Sequence, residues 1–135
     1  MCGICEAVAT KPLVDVVIEG LRRLEYRGYD SAGLAISDQR ELKRVRTLGN
    51  VFVLADHVSR LAFGADTAID HTRWATCGAP TIERSHPHMA PASAVVHNGI
   101  MRNHHTIGSA LKQGGCKSQS ETDRPRNLAK SVTVE

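Results

Sequence analysis

Apolar and polar positions alternate in short blocks along the chain, and two periods can be read from them. Val14, Val17, Ile18, Leu21 and Leu24 recur at the spacing of one helix face, which predicts a helix over 12–24. Pro12 suits its first turn, and Glu19 with Arg23 adds an i,i+4 pair on its polar side. Leu54, Val58 and Leu61 predict a second helix over 50–62, and residues 103–113 a third, ended by Gly114-Gly115. Short apolar or alternating runs at 3–9 (GICEAVA), 33–37 (GLAIS), 42–47 (LKRVRT), 67–72 (TAIDHT) and 92–98 (ASAVVHN) predict strands. GLAIS and LKRVRT flank a turn at Asp38–Arg40, residues 25–32 read as a loop, and a long polar loop rich in His, Pro and Thr precedes ASAVVHN. There is no internal repeat and no low-complexity block, and the pattern is that of an α+β chain.

Composition narrows the picture. A length of 135 residues allows one domain of ordinary size, and 41% hydrophobic content is enough for a core. A net charge of +3, mild and evenly spread, argues against a nucleic-acid partner. No run approaches the roughly 20 apolar residues of a membrane span. The start, MCGICEAVATKPLVDVV, lacks the basic and then apolar segments of a secretory signal, so a cytoplasmic location is expected. In a reducing compartment Cys2, Cys5, Cys77 and Cys116 are expected as free thiols or functional groups.

Six of the seven histidines lie between 71 and 105, together with the sole tryptophan, Trp74, so this stretch is the first place to look for a site. Cys2 is the second. Removal of Met1 would leave a thiol beside a free α-amine, and an α-amine titrates at about 7.7–8.0, so one residue would supply both nucleophile and base. Cys2-x-x-Cys5 with His86, His88, His104 and His105 could also supply zinc ligands. The histidines, however, lie too far along the chain for the usual ligand spacing, and no metal or cofactor is expected.

Taken in order, CGI at 2–4, RRLEYRGYDSAGLA at 22–35, HTRWAT at 71–76, SHPH at 85–88, VVHNGI at 95–100 and SETD at 120–123 resemble a known family. It is the N-terminal glutaminase domain of glutamine–fructose-6-phosphate aminotransferase (glucosamine-6-phosphate synthase), a type 2 glutamine amidotransferase. The resemblance implies an N-terminal-nucleophile hydrolase with an αββα sandwich. It also implies hydrolysis of L-glutamine to glutamate and ammonia through a Cys2 thioester, in the service of glucosamine 6-phosphate synthesis. Asn98 and Gly99 match the oxyanion donors. Arg73 matches the residue that grips the glutamine α-carboxylate, and Asp123 the acid that holds its ammonium. Trp74, Thr76 and His86 fall on further glutamine-site positions. Arg27, Asp30 and Ser31, in the same signature, are read as organising the floor of the site or as purely structural.

The sequence departs from the family at four places. Cys77 stands where a site-lining His is expected, Cys5 replaces an apolar residue, and Glu6 replaces a small one in a strand expected to be buried. After residue 123 the family's helix is replaced by RPRNLAKSVTVE, read as a divergent tail over 124–135. Residues 1–123 then correspond to about half of the family's domain, with no isomerase domain, so an incomplete sandwich is expected. A second copy or a completing chain is the partner that this implies besides glutamine. Two readings of function stand at this point: a working glutaminase, or a degenerate relative that binds glutamine or a partner without turnover.

Overall fold

A computed structural model describes residues 1–61, 63–75, 79–90, 92–99 and 102–113. Four strands form one sheet: β1 (Gly3–Val8), β2 (Ser31–Asp38), β3 (Glu41–Leu48) and β4 (Thr67–Arg73), in the spatial order β1-β4-β2-β3 with every neighbour antiparallel. Helices α1 (Val14–Arg23) and α2 (Val51–Ser59) cover one face. A second sheet of two short strands, β5 (His88–Ala90) and β6 (Ser93–Val95), precedes α3 (His104–Gln113).

The core lies between the four-stranded sheet and the two helices. Val17, Ile18 and Leu21 of α1 and Val51, Leu54 and Val58 of α2 meet Ala32, Leu34, Ile36 and Ala68 of the sheet. Glu25 Oε1 accepts from the Val51 N–H at 2.7 Å and Asn50 Oδ1 from the Val53 N–H at 3.3 Å, so two side chains cap the start of α2. Gly20 admits the thiol of Cys5: a Cβ there would stand 2.6 Å from Cys5 Sγ. The β2–β3 hairpin turns through Gln39 (φ 51°) and Arg40 (φ 67°), both in the left-handed region that two-residue hairpin turns require and that usually selects Asn or Gly.

The predicted helices and strands are present with shifted ends. The helix predicted over 12–24 spans Val14–Arg23, and the one over 50–62 spans Val51–Ser59 with Asn50 as its cap. Three features differ. β2 begins at Ser31, inside the predicted loop, because Ser31 pairs with both Leu48 and Arg73. Residues 25–27 form a 3-10 turn. β5 arises within the long polar loop by pairing with β6, and β6 ends at Val95, short of the strand predicted to residue 98. The predicted Gly114-Gly115 stop and the tail over 124–135 lie outside the described residues.

On the face opposite the helices, the sheet is covered unevenly. Over β2 and β3 it carries the 83–88 segment: Arg46 Nη1 donates to the carbonyls of Ser85 (3.0 Å) and Glu83 (3.4 Å), and Arg44 Nη1 to that of Pro87 (3.3 Å). Burial pushes both guanidinium pKa values down. Gly33 is what allows the close approach, since a Cβ there would collide with the carbonyl of His86 and come 2.9 Å from Pro87 Cδ. Over β1 the same face is open. Ile4 is 36% exposed, Val8 80% and Glu6 also exposed, so Glu6 avoids the burial that its place in the first strand suggested.

Candidate active site

The site residues collect at one end of the four-stranded sheet. Gly3 pairs with Thr72, and Ser31 with Arg73, so the chain entering β1, the start of β2 and the end of β4 come level there. The Gly3 N–H also donates to Thr72 Oγ1 at 3.2 Å, and a Cβ at Gly3 would stand 2.7 Å from Leu24 Cβ. Cys2 is thereby delivered to this end on a strand whose first residue has no room for a side chain.

Asn98 meets Cys2 from the other end of the described chain. The Cys2 N–H donates to Asn98 Oδ1 at 3.3 Å, and Asn98 Nδ2 donates to the Cys2 carbonyl at 3.4 Å. One of the two Nδ2 protons is used in this bond and one is left for another acceptor. Gly99 follows, with the His97 ring lying against it: a Cβ at Gly99 would stand 2.9 Å from His97 Nε2.

The YRGYDSAG segment is tied to the HTRWAT segment through backbone contacts. The Asp30 N–H donates to the Arg73 carbonyl at 3.1 Å, Asp30 Oδ2 accepts from the Ala75 N–H at 2.7 Å, and the Gly49 N–H donates to the Asp30 carbonyl at 2.9 Å. Gly28 lies so close that a Cβ would come 2.6 Å from the Arg73 carbonyl carbon. Trp74 is 45% exposed and packs at 5.7 Å, tilted, against Tyr29. The Arg27 guanidinium lies 3.8 Å from the Met1 sulfur. Of the signature residues, Asp30 therefore joins the site segments, Arg27 reaches Met1, and Ser31 is buried with its hydroxyl unpartnered.

Beneath these groups lies a run of imidazoles. His71 and His86 stack at 4.4 Å, and His86 meets His88 edge-on at 4.5 Å. His71 Nε2 stands 3.3 Å from the His97 carbonyl. Burial, with His86 beside it, pulls His71 down to about 3; burial and then His88 do the same to His86, also about 3. Burial, then the Arg46 and Arg44 charges, takes His88 to about 4. All three rings are neutral at physiological pH.

Cys2, Asn98, Gly99, Arg73 and Trp74 thus stand at or beside this end of the sheet, while His86 lies buried underneath it. Thr76, Cys77 and Asp123 lie outside the described residues. His71 and His97 were not singled out from the sequence, although each sits inside a motif quoted above (HTRWAT and VVHNGI). Cys2 and Cys5 are free thiols. Among the described residues no group of three or more His, Cys, Asp and Glu side chains could hold a metal ion, and no helix is long and apolar enough to cross a membrane.

No protein-family profile matches the chain. Over 124 residues, 91% of its length, it is 50% identical to the glutamine–fructose-6-phosphate aminotransferase (isomerizing) of Vibrio vulnificus. It is 48% identical over the same length to the enzymes of that name from Yersinia pestis and Escherichia coli O6:H1. In each case it spans about a fifth (20%) of the relative's length. Its fold matches the glutamine phosphoribosylpyrophosphate amidotransferase of B. subtilis, complexed with ADP and GMP, with a TM-score of 0.78 at 21% identity, over 92% of this chain and 27% of that one. A structure described as the allosteric regulatory enzyme of purine biosynthesis matches with a TM-score of 0.77 at 22% identity, over 89% of this chain and 27% of that one. The α+β arrangement of one helical layer on an antiparallel sheet is therefore part of the N-terminal-nucleophile hydrolase fold.

Proposed function

We propose that this chain, about half identical over 91% of its length to glutamine–fructose-6-phosphate aminotransferases, corresponds to their N-terminal, type 2 glutamine amidotransferase domain and hydrolyses L-glutamine to glutamate and ammonia with Cys2 as nucleophile. The observation that carries the reading is the reciprocal pair of hydrogen bonds between Cys2 and Asn98, residues 96 positions apart.

With Met1 removed, the Cys2 α-amine takes the thiol proton as Sγ attacks the γ-carboxamide carbon of glutamine. The carbonyl oxygen becomes an oxyanion, for which the unused Nδ2 proton of Asn98 and the Gly99 N–H are the donors. The C–N bond breaks, the α-amine returns the proton, and ammonia leaves a glutamyl thioester. Water, deprotonated by the same amine, attacks the thioester and releases glutamate and the thiol. Arg73 holds the α-carboxylate through a two-pronged contact, Asp123 the ammonium, and Trp74 with Tyr29 closes over the amino acid. Thr76, Cys77 and His86 complete the substrate site in this reading.

The test is glutamate release from L-glutamine by the purified 135-residue chain, with intact mass to establish that Met1 is gone. The expected result is turnover that Cys2→Ala abolishes. Equal release by the two proteins would overturn the reading. Glutamine-dependent thermal stabilisation without turnover would instead favour a binding fragment.

A further inference from the structure

The reaction above gives no part to His71, yet His71 makes a side-chain contact to the backbone immediately before the proposed oxyanion donors. It lies on β4, a central strand of the sheet, 1% exposed, directly opposite Ile4 on one side and Gly33 on the other. Its ring is stacked on His86, and its Nε2 stands 3.3 Å from the carbonyl of His97. A carbonyl only accepts, so Nε2 carries the proton and Nδ1 is the bare nitrogen, buried and without a partner. Residues 97–99 are then held at two points: the His97 carbonyl by His71 and the Asn98 side chain by two bonds to Cys2.

We infer that His71 is a positioning residue, whose Nε2–H fixes the His97 carbonyl and through it the orientation of the Asn98 and Gly99 donors. The inference rests on the glutaminase reading for its effect on rate, and on geometry alone for its effect on order. Without that bond the His97 peptide can rotate about its neighbours, and displacement of a catalytic group by about 1 Å costs on the order of 100-fold in rate. Phenylalanine keeps an aromatic ring against His86 but is bulkier than imidazole, so the comparison with glutamine, which restores the donor, separates the lost bond from altered packing.

The experiment compares the 135-residue chain with His71→Phe, which keeps an aromatic ring and loses the donor, and His71→Gln, which restores an N–H of similar reach. Nitrogen-15 spectra are expected to give the Nε2–H tautomer for His71. Backbone order parameters at Asn98 and Gly99 are expected to fall from about 0.85 to below about 0.6 in His71→Phe, with Leu34 and Ile36 unchanged and His71→Gln close to the parent. In glutamine hydrolysis, His71→Phe is expected to lose about 100-fold in kcat with KM moved less than about threefold. An Nδ1–H tautomer, unchanged order at 98–99, or equal loosening of β2 would overturn the inference. If His71→Phe does not fold, the tautomer and His71→Gln decide. If the parent chain has no more activity than Cys2→Ala, the glutaminase reading fails, while the spectra still decide the role of His71.

Discussion

The backbone N–H of Cys5 donates to Oδ1 of Asp70 at 3.0 Å, on the helix-covered face of the sheet, and Asp70 Oδ2 is buried there with no partner. Burial raises the Asp70 carboxyl to about 8, with the Cys5 bond pulling the other way, and Asp70 in turn helps burial to push the Cys5 thiol up. The folded chain therefore holds a proton on Asp70 that the unfolded chain releases near pH 4. Between about pH 4 and 8 the folded state binds more protons, so this group makes stability fall as pH rises. Asp70→Asn keeps the acceptor for Cys5 and removes the charge. It is expected to be more stable than the parent, by a margin that grows by up to about 1.4 kcal/mol per pH unit between pH 5 and 7 in urea unfolding.

His88 acts in the opposite direction. Its folded value of about 4 lies below the unfolded one, so between about pH 4 and 6.5 the unfolded chain binds more protons and stability rises with pH. His88→Gln is expected to lose less of its urea midpoint than the parent when the pH is lowered from 7 to 5.

Gly33 is a packing prediction. Alanine there would drive a Cβ into the His86 carbonyl, and that segment is pinned by Arg44 and Arg46 and has little freedom to retreat. Gly33→Ala is expected to cost about 1–3 kcal/mol, read as a fall in thermal midpoint.

Asp30 controls the loop that carries Trp74. Asp30→Ala removes the 2.7 Å bond to the Ala75 N–H, so Trp74 should loosen from Tyr29. Since Trp74 is the sole tryptophan, iodide quenching of its fluorescence reports this directly. Quenching is expected to increase at least twofold, and KM for glutamine to rise about tenfold with little change in kcat.

The parts of the fold that could be read from the sequence are those whose pattern is local. Val17, Ile18 and Leu21 mark the buried face of α1 by spacing alone, and GLAIS sits inside β2. β5 could not be read in this way, because three half-buried residues become a strand only by pairing with β6. Asp70 was hidden for a different reason. In TAIDHT the apolar Ile69 suggests the core face, whereas Ala68, Asp70 and Thr72 are the members turned toward the helices, and the polar Asp70, His71 and Thr72 are all more deeply buried than Ile69. At the site, motifs brought Cys2, Asn98 and Arg73 together by type, but only the register of β1 on β4 brings Cys2 and Arg73 level, and His71 reaches His97 only through the tertiary fold.

The joining of Cys2 to Asn98 also sets an order of events. Among the described residues β1 pairs with β4 alone, and Asn98 lies 96 residues downstream of Cys2. A contact of such long sequence separation closes a large loop and forms late. During synthesis α1, α2 and the β2–β3 hairpin can therefore form before β1 has β4 to dock on, and Cys2 meets Asn98 only after both sheet and helices have been made.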